Sequence, residues 1–316
     1  TPRQLEQSAE EIVKAAVADG VTYMELVLRP SAHTDKGMAE RDVVRAVVDA
    51  LVALERELPI TVNVVLSASA SSDDPITFKR IAKLCYSYYH HNQYTTALPP
   101  KWAVPAERRR VVGFGVFGQT RVELNAATIQ YFRATFDYLK ERNVNVTMYV
   151  GGEDGCLNSA LHVGGASRIG GAFSLHRYPR LMDYLALRSI PVELTPSEQL
   201  KSSTADVTSF MGLKSQSFRI LLDAQVPVVL CSFRSAGQCF DRIDTLHYLV
   251  KKCFLSVSDV VKLVGNGFQH NFQHHKQRAA AYEKFVADAE ALLGAHGYQH
   301  FVRKEYLMHG RRHALA

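Results

Sequence analysis

The sequence predicts an α/β chain of the (β/α)8 TIM-barrel type with parallel strands. Three observations carry this. Short β-branched runs alternate with longer amphipathic stretches, the runs are nearly continuously apolar, and 316 residues at 47% hydrophobic can bury one large core. Alternating strand and helix calls for right-handed βαβ units, and a strand apolar on both faces is one covered by helices outside and packed side chains inside.

Taken in order, the chain opens on TPRQLEQSAEEIVKAA, an amphipathic helix. Strand runs follow at 21–30, 60–68, 110–118, 144–152, 167–171, 190–196 and 226–233. A closed barrel needs eight strands. The opening helix leads straight into a strand and the first residue is Thr rather than Met, so the first barrel strand is expected upstream of residue 1. Between strands the apolar spacing is near 3.6 residues. Asn125 suits an N-cap, Ile129, Phe132, Phe136 and Leu139 form one stripe, and Asn143 ends it. Extra C-terminal helices are expected at 239–252, 256–265 and 272–294, closing the bottom and side of the barrel. The stretch 93–109, where Pro99, Pro100 and Pro105 flank Lys101 and Trp102, reads as a loop excursion and contact surface. The expected organisation is a barrel domain over 1–296 and a basic C-terminal tail over 297–316.

Composition narrows the function classes. Cys85, Cys156, Cys231, Cys239 and Cys253 form no CxxC pair, which argues for a reducing compartment and against a disulfide scaffold or a Cys-held zinc. No apolar run is long enough to span a membrane, and the opening helix is not a signal peptide, so a soluble intracellular protein without membrane insertion is expected. The formal charge is +6, with clusters at Arg108, Arg109 and Arg110 and in the tail at Arg303, Lys304, Arg311 and Arg312. Solvated basic faces explain most of this; nucleic acid, an acidic partner or an organellar setting stay open.

Reactive groups of such barrels sit at the C-terminal ends of strands. Those ends read Val150-Gly151-Gly152-Glu153, Arg168-Ile169-Gly170-Gly171, Glu193-Leu194-Thr195-Pro196-Ser197 and Leu230-Cys231-Ser232-Phe233-Arg234, with Gly118 closing an earlier run. In this order they resemble the adenosine deaminase family, whose strands end His-Ala-Gly-Glu, Arg-Ile-Gly-His-Gly, Glu-x-Cys-Pro-x-Ser and Ser-x-Asn-Thr-Asp-Asp-Pro. Gly20-Val21-Thr22-Tyr23-Met24-Glu25 and Asn266-Gly267-Phe268 are supporting matches, and the resemblance runs to about residue 290.

The resemblance implies deamination of adenosine or a related purine by a water held on one zinc, with histidines and an aspartate as ligands. A carboxylic acid protonates the ring, and a second histidine and aspartate orient the water. That chemistry needs a metal-lowered water pKa. Against the family pattern, Val150 replaces a ligand histidine, Gly171 the water-orienting histidine, and Phe233 and Arg234 the aspartate pair. The His-x-His pair of the family's first strand lies outside the chain. A cation at 234 would oppose a bound metal by Coulomb repulsion. Glu153 matches the family's acid, and Gly118 and Gly152 its substrate-side glycines.

No competent catalytic residue and no zinc are therefore expected. Of the thirteen histidines, His90-His91 and His274-His275 are adjacent pairs unable to face one metal, and His176 alone is placed near the mouth. The Gly113, Gly115, Gly118 spacing opens no helix and is a weak dinucleotide signal; no P-loop or nucleophile elbow occurs. The leading expectation is a pseudoenzyme serving as a structural or binding subunit of a larger assembly, in cytoplasm or mitochondrion or attached to the cytoskeleton. A purine-binding regulator using Gly118, Gly152 and Glu153 and an active zinc-dependent deaminase are the alternatives.

Overall fold

Helix α1 (Pro2–Ala18) starts where the sequence can satisfy its open backbone donors. The Thr1 hydroxyl and the Gln4 side chain cap each other's backbone, and Pro2 takes the first turn, where its missing N–H costs nothing. The computed structural model describes residues 1–35, 37–90, 104–117, 124–150, 154–172, 174–195, 215–231 and 242–295.

Strands β1 (Tyr23–Leu28), β2 (Thr61–Ser69), β3 (Val111–Phe117), β4 (Val146–Tyr149), β5 (Arg168–Gly170), β6 (Val192–Leu194) and β7 (Val228–Leu230) follow in sequence. They form one parallel sheet in the order β1 to β7. All seven fall inside the runs read from the sequence, apart from one residue at the end of β2. No eighth strand occurs among the described residues, where β1 and β7 are the sheet's edges.

Helices α2 (Glu40–Leu54), α3 (Pro75–Ser87), α4 (Ala126–Tyr131), α5 (Arg133–Lys140), α6 (Asp154–His162), α7 (Pro179–Arg188) and α8 (Ser215–Asp223) lie between strands. They cover the outer face: Leu66, Val116, Met148, Ile169, Val192 and Val228 alternate into one core with Val47, Phe78, Phe136, Leu157, Leu185 and Leu221. The expected stripe is buried as read, but at Phe132 the helix breaks in two, φ −91° and ψ 9°. Its ring stacks on Phe78 with centroids 4.1 Å apart, a contact from outside the local pattern.

Beyond β7 come α9 (Arg242–Cys253), α10 (Val257–Gln269) and α11 (His275–Ala295). Asn266 of α10 donates to the Val228 carbonyl at 2.9 Å, and Phe268 stacks on Phe285 of α11 with centroids 5.0 Å apart. Helix α11 buries no residue fully, so it lies along the side, while the link before it sends Phe272 into the barrel floor.

The sheet is strongly curled. Strands β1 and β5 are four spacings apart, roughly 19 Å in a flat sheet, yet Arg168 Nη1 on β5 lies 2.7 Å from Glu25 Oε2 on β1. Only a barrel-like curve lets the two side chains meet.

Candidate functional site

Strand alternation sends one set of side chains outward and the other into the barrel. The inward set includes Tyr23 and Glu25 of β1, Asn63 of β2, Thr147 of β4, Arg168 of β5 and Glu193 of β6. Arg168 is the hub. Besides Glu25 it meets Glu193, Nε 2.8 Å from Oε1, at an angle that makes this an ion pair rather than a hydrogen bond. Its guanidinium carbon lies 3.5 Å from the Phe272 ring centroid, a cation–π contact. The second Glu25 oxygen accepts from the Tyr23 hydroxyl at 2.8 Å and the Phe272 N–H at 2.6 Å. The second Glu193 oxygen accepts from the Thr147 hydroxyl at 2.7 Å.

Electrostatics here favour permanence over proton transfer. Burial opposes the Arg168 charge, but Glu193 and Glu25 outweigh it and hold the guanidinium above its ordinary pKa. Burial, and then the Glu25 charge, push the Tyr23 phenol well up. All four carboxylate oxygens are engaged, so neither glutamate is poised as a general base. Glu25, Arg168 and Glu193 were readable as motif matches, but a shared role was not. Three charges at strand positions buried on both faces were the available signal, since such charges need one another.

Nearer the mouth, the strand ends read from sequence are only partly described. Gly171 N–H donates to the Glu193 carbonyl at 3.2 Å, and its backbone is left-handed, φ +76°. A Cβ built there would stand 2.8 Å from Cζ of Tyr149. Tyr149 is therefore the inward side chain at the end of β4, with its ring against Gly171 and 6.4 Å from that of Phe117. Val150 faces the other way. It is buried in the helix-facing core at 1% exposure, its N–H donates to the Gly170 carbonyl at 3.0 Å, and it bridges to Leu124. Sequence reading missed Tyr149, although alternation of Val146, Met148 and Val150 with Thr147 and Tyr149 already carried the signal.

Gly118, Gly152, Glu153, Phe233 and Arg234 lie outside the described residues, as do Lys101, Trp102 and the tail from residue 297. At two of the described strand ends no ligand atom is offered: Val150 carries an isopropyl group in the helix-facing core and Gly171 has no side chain. Among the described residues no three His, Cys, Asp or Glu side chains gather as metal ligands. The His274 and His275 rings lie against each other, centroids 4.2 Å apart, and His176 is half-buried in a short 3-10 turn, Leu175–Arg177. The basic cluster is occupied within the fold. Arg108 pairs with Asp49 at 2.7 Å, Arg110 with Glu55 at 2.6 Å, and Arg109 donates to the Val104 carbonyl at 2.9 Å. No described helix is long and apolar enough to cross a membrane.

The sequence profile described as adenosine deaminase matches residues 1–287. The chain belongs to the adenosine deaminase family. A probable adenosine deaminase of Dictyostelium discoideum is 35% identical over 286 residues, covering 90% of this chain and 34% of that protein. The chain thus spans about a third of that relative's length. An adenosine deaminase of Mycobacterium avium is 22% identical over 313 residues, covering 93% of this chain and 78% of its own. Among solved structures, a zinc-bound amidohydrolase from Burkholderia ambifaria superposes with TM-score 0.76 at 14% identity, covering 93% of this chain and 75% of its own. Arabidopsis ADAL in complex with IMP gives 0.70 at 19% identity, covering 92% and 78%. At these identities the superpositions speak for the deaminase-family fold alone.

Proposed function

We propose that this chain is a catalytically inactive member of the adenosine deaminase family, serving as a structural or binding subunit of a larger intracellular assembly. The observation that carries the reading is the Tyr149 ring set against a left-handed Gly171, at the position matched to the family's water-orienting histidine. Val150, Phe233 and Arg234 stand at the matched ligand and aspartate positions. Without a metal to lower the pKa of water, no described group can generate the attacking hydroxide at neutral pH. The surroundings that suit this reading are reducing, cytoplasmic or mitochondrial, or cytoskeletal. With Arg108 and Arg110 paired to Asp49 and Glu55, the tail is the other basic cluster that a nucleic-acid contact would use.

Full-length protein, purified without chelator and resupplied with zinc, tests the reading by metal content and adenosine and AMP deamination. The expected result is less than stoichiometric zinc and no turnover above a heat-treated control. Stoichiometric zinc with inosine or IMP formation overturns it. The alternative, a purine-binding regulator, is supported by the retained Gly118, Gly152 and Glu153. Calorimetry of the same preparation with adenosine, inosine and AMP decides it: saturable heat without turnover favours a regulator, and silence at millimolar concentration removes it.

A further inference from the structure

The link between α10 and α11 is held far more firmly than the helix it leads to. Asn271 and Phe272 are buried, at 4% and 5% exposure. The Asn271 amide donates to the Phe268 carbonyl at 2.8 Å, closing the end of α10, and its oxygen accepts from the Gln273 N–H at 2.9 Å. Phe272 is a peg in the barrel floor. Its N–H reaches Glu25, and its ring faces the Arg168 guanidinium and packs on Val65 and Val112. Gly113 leaves the ring its room, since a Cβ there would stand 2.6 Å from it. Helix α10 is anchored to the same body through buried Leu263 and through Asn266 on the Val228 carbonyl.

Helix α11 has no comparable hold. None of its 21 residues is fully buried. Tyr282, Phe285, Val286, Ala289 and Leu293 form a half-buried stripe, and the main neighbour of the helix is α10. The Phe285 ring on Phe268 is the central contact, and Arg278 reaches back to the Asn271 carbonyl at 3.3 Å. Among the described residues no ion pair joins α11 to another element; Lys284 pairs with Asp288 inside the helix. At this length, and with a composition rich in Ala, Glu, Lys and Leu, α11 needs little from a neighbour in order to be helical. Shallow docking and high intrinsic helix content together make an element that separates as one piece instead of melting with the core.

We propose that α11 is a hinged arm: it opens from α10 as a unit, about the fixed link 271–273, while Phe272 stays in the floor and the barrel stays closed. Opening uncovers Phe268 on α10 and Tyr282 and Phe285 on the arm, and leaves Arg168 covered. The peg separates the two motions, because a link free to slide would pass the movement of the arm to Glu25 and β1. The arm moves on the floor side of the barrel, so its opening does not depend on whether the mouth binds or converts a purine.

Hydrogen exchange of the full-length protein, read by mass spectrometry across low urea concentrations, tests the arm. The amides of α11 are expected to open together, with protection at least roughly 100-fold below that of Phe272 and β1 and with weaker dependence on urea. Phe272→Leu shrinks the peg, which is in place whether the arm is open or closed. It should therefore raise exchange of β1 at least roughly tenfold and leave that of α11 unchanged. Phe285→Ala, which removes the central contact of the arm without touching the floor, should raise exchange along the whole of α11 by a similar factor. Equal protection and equal urea dependence of α11 and Phe272 would overturn the proposal, since arm and floor would then be one cooperative unit. So would a rise of β1 and α11 alike in Phe272→Leu, or exchange that spreads into α11 from Ala295 residue by residue, which is fraying rather than opening about a hinge.

Discussion

At Gly171 two constraints act on one atom that the residue lacks. The left-handed backbone disfavours any Cβ, and the Tyr149 ring occupies the space that Cβ would take. Gly171→His should therefore cost about 1–3 kcal/mol in urea denaturation. Tyr149→Ala combined with Gly171→His should recover the part due to overlap but not the part due to φ. Equal costs for the single and double variants would mean that Tyr149 does not guard the position. How much of the site was legible follows from the same residues. Position 171 could be read because motif order fixes it. The sense of residue 150 could not, because motif order does not say which of two adjacent side chains on β4 faces inward. Parity along Val146, Thr147, Met148, Tyr149 and Val150 decides that, and it brings the ring of Tyr149 into the barrel.

Elements followed the sequence where their burial is uniform. The strands carry near-continuous apolar runs because helices cover one face and barrel side chains fill the other, so their existence and order were visible without any contact map. The division of α4 from α5 was not. The stripe Ile129, Phe132, Phe136, Leu139 has unbroken helical spacing, and only the stacking of Phe132 on Phe78 marks the break. Helix α10 shows how a local signal and a distant one combine. Ser256 and Asp259 form a capping box, and Asp259 also binds Arg219 of α8. Burial would raise the Asp259 pKa, but the Ser256 backbone and hydroxyl and the Arg219 charge outweigh it and hold the carboxyl below its ordinary 3.8. A folded-state pKa below the unfolded one gives stability that is present above about pH 4 and lost as pH falls through the folded value. Asp259→Asn should cost about 1 kcal/mol at pH 7, and the gap from the unsubstituted chain should close in acid. A gap independent of pH between 2 and 7 would assign the loss to something other than the carboxylate.

For the molecule as a whole, the barrel curvature is anchored by a single buried cation serving two anions on strands far apart in sheet order. Removing a partner from such a set costs more than the set contributes, because a charge is then buried without compensation. Arg168→Met should lower stability by about 3–5 kcal/mol, and Arg168→Lys should restore only part of it, since an ammonium lacks the fork that reaches Glu25 and Glu193 together. A loss under 1 kcal/mol at pH 7 would show that water already reaches this floor. The same floor was only half legible: each of its charges sits in a motif, but their meeting depends on how tightly seven strands curl.

The hydrogen bond from Phe272 to Glu25 joins residues 247 positions apart. Synthesis runs in one direction, so at ordinary elongation rates Phe272 leaves the ribosome on the order of 10–50 s after Glu25. Throughout that interval the strands are made and can pair, yet the carboxylate on the first has neither its backbone donor nor the ring that covers its arginine. The nascent sheet is therefore a long-lived open template, and the last tenth of the barrel domain decides when it stops being one.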